Sequence, residues 1–424
     1  MTSLADRLRG VLAPGSRERS NPELPSTSLG ASRILDPGND AAEILGGEWR
    51  ETRGRRFLIV DRKYSPGYRH GQVTVADCLP PWPRLEVLAS GGSCGPGMWG
   101  KPLFLDLETT GLAGGAGTYA FLVGCGWFEP FAASDSTRQP ACFRTRQFFL
   151  SDFAAERALL ESVAELAGGI DCVVTYNGKT FDLPLIDTRF ALQRMAAPFA
   201  DAAHVDMLHP ARRMWREEDV ECRLTHLEQT LCGYEREGDV PGFEIPSRYF
   251  RYVRSGDARP LAAVLEHNRL DIVSLAMLTA HASRLLANGP SAATTPREAF
   301  GMGRLYERAG MLDEALACFQ RARTVDAFRA AAVLLRRLRR YGEAAAAWRE
   351  LLGTRDCPAG YVREAMEALA VHHEHRARDL EAARRFALQS LRLQATAARQ
   401  DAVKYRLARI DRKLGMIERA AALF

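Results

Sequence analysis

Asp106 and Glu108 stand two residues apart at the end of an apolar run, in "FLDLETTGLAGG" (residues 104–115). Strand side chains alternate between faces, so a strand here puts both carboxylates on one side. Two anions side by side repel, and a divalent cation bound by hard carboxylate oxygens would hold them. A strand end entering water is the plain alternative. Asp182, in "VVTYNGKTFDLPLI", follows a short apolar strand and opens a helix whose first turn accepts Pro184. It could equally be a helix N-cap. In "LEHNRLDIVSLAML", His267 and Asp271 lie four apart, on one face of an otherwise apolar helix. A carboxylate in that setting is costly unless it is paired or bound to a cation.

The elements around these residues follow a clear order. Strand patterns at 102–109, 118–128 and 144–152 are followed by a helix at 153–169, a strand at 171–178 and a helix at 182–195. A short strand running into a turn (204–215), a helix at 222–233 and an apolar helix at 259–287 complete the set. Three neighbouring strands followed by alternating helix and strand imply an α/β domain over residues 101–287, with a mixed five-stranded sheet flanked by helices. Residues 1–48, rich in Pro, Ser, Gly and Arg, read as a disordered tail. Residues 49–100 read as a β-hairpin extension, "RFLIVDRKYSPGYRHGQVTVADCL", and a Gly/Pro-rich link. "NGPSAATTP" (288–296) is a linker.

From 297 to 424 the pattern is all helical and repeats. Glu314-Ala315 with Phe319, Glu343-Ala344 with Trp348 and Glu381-Ala382 with Phe386 recur near the ~34-residue period of tetratricopeptide arrays. This part resembles degenerate tetratricopeptide repeats, the first copy also supplying Gly303, Tyr306, Gly310 and Ala322. It carries 25 Lys+Arg against 16 Asp+Glu, so it is basic while the whole chain has a formal charge of only +5. Such a face could meet phosphates or an acidic protein, or be a solvated helical surface. The nine cysteines form no C-x-x-C pair, which suggests neither a zinc site nor a disulfide framework and fits a reducing cytoplasm. No signal-peptide pattern opens the chain, and its apolar runs, about ten residues long, suggest no membrane span.

Taken together, Asp106, Glu108, Asp182 and Asp271 come in the order strand, loop-to-helix, helix, as in the DEDD 3′–5′ exonucleases of the ribonuclease H-like superfamily. "FLDLETTGLAGGAGTYAFLVG", "YNGKTFDLPL", "HVDMLHPARRMW", "LTHLEQTLCG", "DVPGFEIPSRYF" and "LEHNRLDIVSLAML" resemble the YprB-like ribonuclease H-like domain, whose members also carry tetratricopeptide repeats. The resemblance implies phosphodiester hydrolysis of DNA or RNA with two Mg²⁺ or Mn²⁺ ions. By carry-over, Asp106 bridges both ions, Glu108 and Asp182 complete their shells, and Asp271 holds the ion beside the nucleophile. His267 is the candidate to orient or deprotonate the water. Its spacing to Asp271 is that of the tyrosine-type subclass and departs from the histidine-type, so a packed helix residue is the other reading. Thr109, Thr110 and Gly111 sit where family members contact the terminal nucleotide, and Asn177 and Lys179 are placed to touch a phosphate. Each is also a plausible turn residue. Asp206 and His209 fall near a strand end, and Trp215 sits among arginines that could bind a strand by charge and stacking. The implied partners are nucleic acid, with a single-stranded end favoured, and a protein held by the repeats. Alternatives are an interaction scaffold with a catalytically weak nuclease domain, and a two-metal endonuclease.

Overall fold

Leu103, Leu105 and Leu107 turn to one side of their strand while Phe104 turns to the other, and the two sides bury in different cores. Asp106 and Glu108 continue the Phe104 side. The structure is a computed structural model and describes residues 41–89, 101–111, 117–129, 142–216, 222–393 and 396–421.

The main sheet has seven strands: β1 (Glu48–Thr52), β2 (Arg55–Tyr64), β3 (Pro102–Thr109), β4 (Ala120–Phe128), β5 (Phe143–Phe149), β6 (Cys172–Thr175) and β7 (Ala203–Asp206). Their order is β1-β2-β5-β4-β3-β6-β7. β3, β6 and β7 run parallel and the remaining neighbours antiparallel, so the sheet is mixed as expected. The stretch 101–287 contributes the expected five strands, β3 to β7, and the preceding hairpin adds β1 and β2 to the same sheet. β1 and β2 form a tight hairpin through Arg53 and Gly54, both at positive φ, and β2 then pairs with β5 from Leu58↔Phe149 to Tyr64↔Phe143. The run after the Pro-Gly turn, expected to pair with β2, instead forms a two-stranded ribbon of its own at 69–74. Within the stretch expected to be disordered, Ala41–Leu45 is a helix with Ala41 and Leu45 buried. Residues 1–40 and most of the Gly/Pro-rich link, 90–100, lie outside the described residues.

One face of the sheet is covered by α1 (Glu156–Ala167), α2 (Asp182–Leu192) and α4 (Ile245–Ser255), the last stacking Tyr249 on Phe121. The other receives α3 (Leu208–Met214) and the 27-residue α5 (Ala262–Asn288). By length and composition α5 is apolar enough to cross a membrane, but 78% of its apolar window is packed inside the protein. Its approach depends on two glycines of β4 that lie opposite Asp106 and Phe104. A Cβ at Gly124 would stand 2.2 Å from Asn268 Oδ1, and one at Gly126 would stand 2.4 Å from Ile272 Cγ2. Gly124→Val is therefore expected to push α5 off the sheet and cost about 1–3 kcal/mol, read as a lowered urea midpoint.

After α5, helices α6 (Pro296–Arg308), α7 (Leu312–Ala322), α8 (Val325–Arg337), α9 (Tyr341–Leu352), α10 (Ala359–His372), α11 (Leu380–Arg392) and α12 (Ala397–Ala421) pack mostly on their sequence neighbours. Gly303 lets α7 close on α6, since a Cβ there would be 2.5 Å from Phe319 Cε1. The junction at 288–296 is not a loose tether. Ala293 is buried, and Thr295 caps α6 by accepting from Glu298 N. α6 also lies directly on α3, because a Cβ at Gly301 would meet Arg213 O at 2.3 Å. Trp215 donates its indole N–H to Glu298 Oε1 at 2.8 Å, so it ties the two parts together.

Candidate nuclease site

β3 delivers Asp106 and Glu108 beneath α5, and an irregularity in the β3–β4 ladder between Glu108 and Thr109 marks where the strand leaves its register. Asn268 of α5 donates its amide to Asp106 Oδ2 at 2.7 Å and to the Asp106 carbonyl at 3.2 Å, fixing helix to strand at the acid itself. Asp182 is the first residue of α2 and does not cap it; the cap position is Phe181, which makes no side-chain cap bond. Its carboxylate takes its own N–H and that of Leu107, the residue between Asp106 and Glu108. Asp271 reaches the same space from α5, and its charge acts on both β3 acids. The four predicted acids are therefore brought together.

The loop that presents Asp182 is built by Asp206. This buried carboxylate accepts from the backbone N–H of Asn177 (2.8 Å), Leu208 (3.1 Å) and Lys179 (3.1 Å). Asn177 takes a left-handed φ of 67° there, and the exposed Lys179 contributes its backbone N–H. Thr109 donates to Gly111 O at 2.9 Å, and Thr110 Oγ accepts from Tyr119 N at 2.9 Å. Both threonines thus shape the β3–β4 loop, whose residues 112–116 lie outside the described residues. His209 lies on α3, where its carbonyl accepts from Arg213.

Sequence reasoning missed a buried charge network behind Asp271. Arg236, its side chain 5% exposed, forks onto Glu228 with Nε at 3.1 Å and Nη2 at 2.8 Å. Its Nη2 also donates to Asp271 Oδ1 at 2.5 Å, and its Nη1 to Asp239 Oδ2 at 3.3 Å. Glu228 is held from behind by Ser274, whose hydroxyl also meets His70 Nε2 at 2.9 Å. His267 lies between Asp239, whose Oδ1 is 2.6 Å from Nδ1, and Asp271, whose Oδ2 is 3.7 Å from Nε2. Arg236 gave no sequence signal, being one of many arginines in an aperiodic loop. Asn268 did give one: a fully buried amide in an apolar helix, beside His267.

At Asp271 opens a groove of about 900 Å³ lined also by Tyr176, Asn177, Arg212, Arg216, Arg223 and His267. Comparison with known proteins agrees with this architecture. An RNase_H superfamily domain is matched over residues 103–283, which span β3 to α5. The chain is 31% identical over 319 residues to "Uncharacterized protein YprB" of Bacillus subtilis (strain 168), covering 73% of this chain and 74% of that one. The chain belongs to the YprB family of the ribonuclease H superfamily. A family B DNA polymerase of the archaeon Pyrobaculum calidifontis is also similar at 14% identity and a TM-score of 0.33, covering 52% of this chain and 30% of the polymerase. That likeness is too slight to support any inference.

Nucleases of this superfamily generally use divalent metals. In this YprB-family chain, burial and then the charges of Asp271 and Asp182 push Asp106 well above the usual carboxylate range. Glu108 is raised in the same way by burial and then by Asp106. Asp182 is pushed to about 7, mainly by burial and, among neighbouring charges, by Asp206, against the two N–H groups it accepts from. Burial pulls His267 down, but the Asp271 charge and the Asp239 contact outweigh it and leave its pKa above the usual imidazole range. Among the described residues, no three such side chains already form a metal shell. Uncompensated carboxylates repel one another, so the donors do not close up by themselves. The donor chemistry of Asp106, Glu108 and Asp182 still fits a hard divalent cation: oxygen ligands only, shielded, and disfavoured as bare anions.

Proposed function

We propose that this chain is a metal-dependent nuclease hydrolysing phosphodiester bonds in DNA or RNA, and that it trims strands from the 3′ end. The reading is carried by the four acids gathered from β3, α2 and α5, of which Asp271 lines an arginine-rich groove. Mg²⁺ or Mn²⁺ held by Asp106, Glu108 and Asp182 would supply Lewis acidity and lower the pKa of an attacking water. The protein supplies the rest. Asn268 orients Asp106, the Asp206-clamped loop sets Asp182 against β3, and Arg212, Arg216 and Arg223 line the path of the phosphates. Thr109, Thr110, Gly111, Asn177 and Lys179 present backbone or side-chain polar groups to the terminal nucleotide. Phe181 is 57% exposed beside Asp182, and Phe243 is 75% exposed next to the groove-lining Gly242. Exposed aromatics of this kind stack on unpaired bases, which favours a single-stranded end. The C-terminal helices read as tetratricopeptide-like repeats that hold a protein partner. Every described cysteine is a free thiol, in keeping with a cytoplasmic protein.

The deciding experiment incubates the full chain with 3′- or 5′-labelled single- and double-stranded DNA and RNA, with Mg²⁺, Mn²⁺ or EDTA. A 5′ label is expected to yield a metal-dependent descending ladder. Internal cuts of both labels would select the endonuclease alternative. Metal-dependent cleavage of no substrate would select the scaffold alternative, which the lack of a closed metal shell among the described residues favours.

A cation entering this site must displace protons. Asp182, near 7 in the fold and about 3.9 unfolded, stabilises the metal-free protein less and less as pH rises through that window. The gain in melting temperature from Mn²⁺ is accordingly expected to be small at pH 5.5 and to grow up to pH 8, approaching the equivalent of about 2.7 kcal/mol at a hundredfold excess over Kd. A gain that is independent of pH would contradict it.

A further inference from the structure

We propose that the site takes a single divalent cation, at Asp106, Glu108 and Asp182, and that Arg236 is a resident positive charge in the place expected for a second ion. The inference rests on the nuclease reading and corrects its metal count. Asp271 was expected to hold the second ion, yet one of its oxygens already faces a protein cation and the other faces an imidazole ring. Oδ1 accepts from Arg236 Nη2 at 2.5 Å, and Oδ2 lies 3.7 Å from His267 Nε2.

Arg236 is not free to swing away from this position. Its Nε and Nη2 are forked onto Glu228, whose side chain is 1% exposed and which also takes the Ser274 hydroxyl. Withdrawing the guanidinium would leave Glu228 as a buried anion without its cation, which is strongly disfavoured. A second ion at Asp271 would have to displace that anchored guanidinium or sit against it at like charge. The fixed guanidinium charge next to Asp271 acts through space on negative charge developing there. In this arrangement Asp271 is a positioning residue, which is held by Arg236 and His267 at the groove and does not coordinate metal.

The test is a calorimetric titration of Mn²⁺ into the full chain without nucleic acid, with the count checked by the electron paramagnetic resonance signal of unbound Mn²⁺. One ion per chain is expected, lost in Asp106→Asn and retained within about threefold in affinity by Asp271→Asn. Arg236→Gln alone strands Glu228, so the pair Arg236→Gln with Glu228→Gln is used, and it is expected to admit a second ion. Two ions in the wild-type protein, or a tenfold or greater loss in Asp271→Asn, would overturn the single-cation assignment while leaving the nuclease reading intact. Absence of any ion dependent on Asp106 would overturn that reading and the assignment with it.

Discussion

Asp106→Asn is expected to give a protein that is more stable without metal and inert with it. Asp106 sits under α5 among like charges and accepts from the neutral Asn268 amide, and its anionic form is strongly disfavoured. Asparagine keeps the shape and removes the repulsion. Metal-free stability should rise by about 1–2 kcal/mol, or roughly 2–6 °C in melting temperature. Natural sites commonly trade stability for function in this way. Cleavage should fall by at least two to three orders of magnitude, the scale of losing a central electrostatic group. Calorimetry and single-turnover cleavage on the same preparation check both halves. A variant less stable than wild type that still cleaves would mean that Asp106 is an ordinary strand-end residue.

Glu156→Ala is expected to be the most destabilising single change considered, at about 3–5 kcal/mol. Glu156 of α1 and Arg189 of α2 are both buried and joined by two bonds, Nη2 to Oε2 at 2.7 Å and Nε to Oε1 at 2.5 Å. Gln193 adds a third at 2.7 Å, and the guanidinium stacks on Tyr119 at 3.9 Å. Removing the carboxylate strands a buried cation. Since α2 carries Asp182 on its first residue, Mn²⁺ affinity should weaken even where the protein remains folded. Replacing the pair with Glu156→Leu and Arg189→Met should recover most of the stability in urea titration. A loss in Glu156→Ala below 1 kcal/mol would show that the pair does not lock α2 to α1.

What could be read in the sequence follows physical range. Asp106 and Glu108 stood out because strand periodicity fixes which side they face, and Asp271 because a carboxylate in an apolar helix demands a partner. The partner was the illegible part: Arg236 comes from an aperiodic loop 35 residues away, chosen by tertiary packing. The joining of β1 and β2 to the main sheet was illegible for the same reason. β2 is an obvious strand locally, but its pairing with β5 bridges some 85 residues and follows no turn signal. Trp215 could be read as a nucleic-acid contact or as a core residue while only composition was visible; the docking of α6 on α3 gives its indole N–H a carboxylate. Asp206 could have been recognised as the loop's organiser only with the third strand of the parallel set in place, since its three N–H donors come from both sides of β7.

The most direct measurement is anomalous diffraction from crystals of the full chain soaked in millimolar Mn²⁺. One strong peak bounded by Asp106, Glu108 and Asp182 is predicted. Carboxylates left without a manganese peak, or manganese bound only elsewhere, would contradict the account.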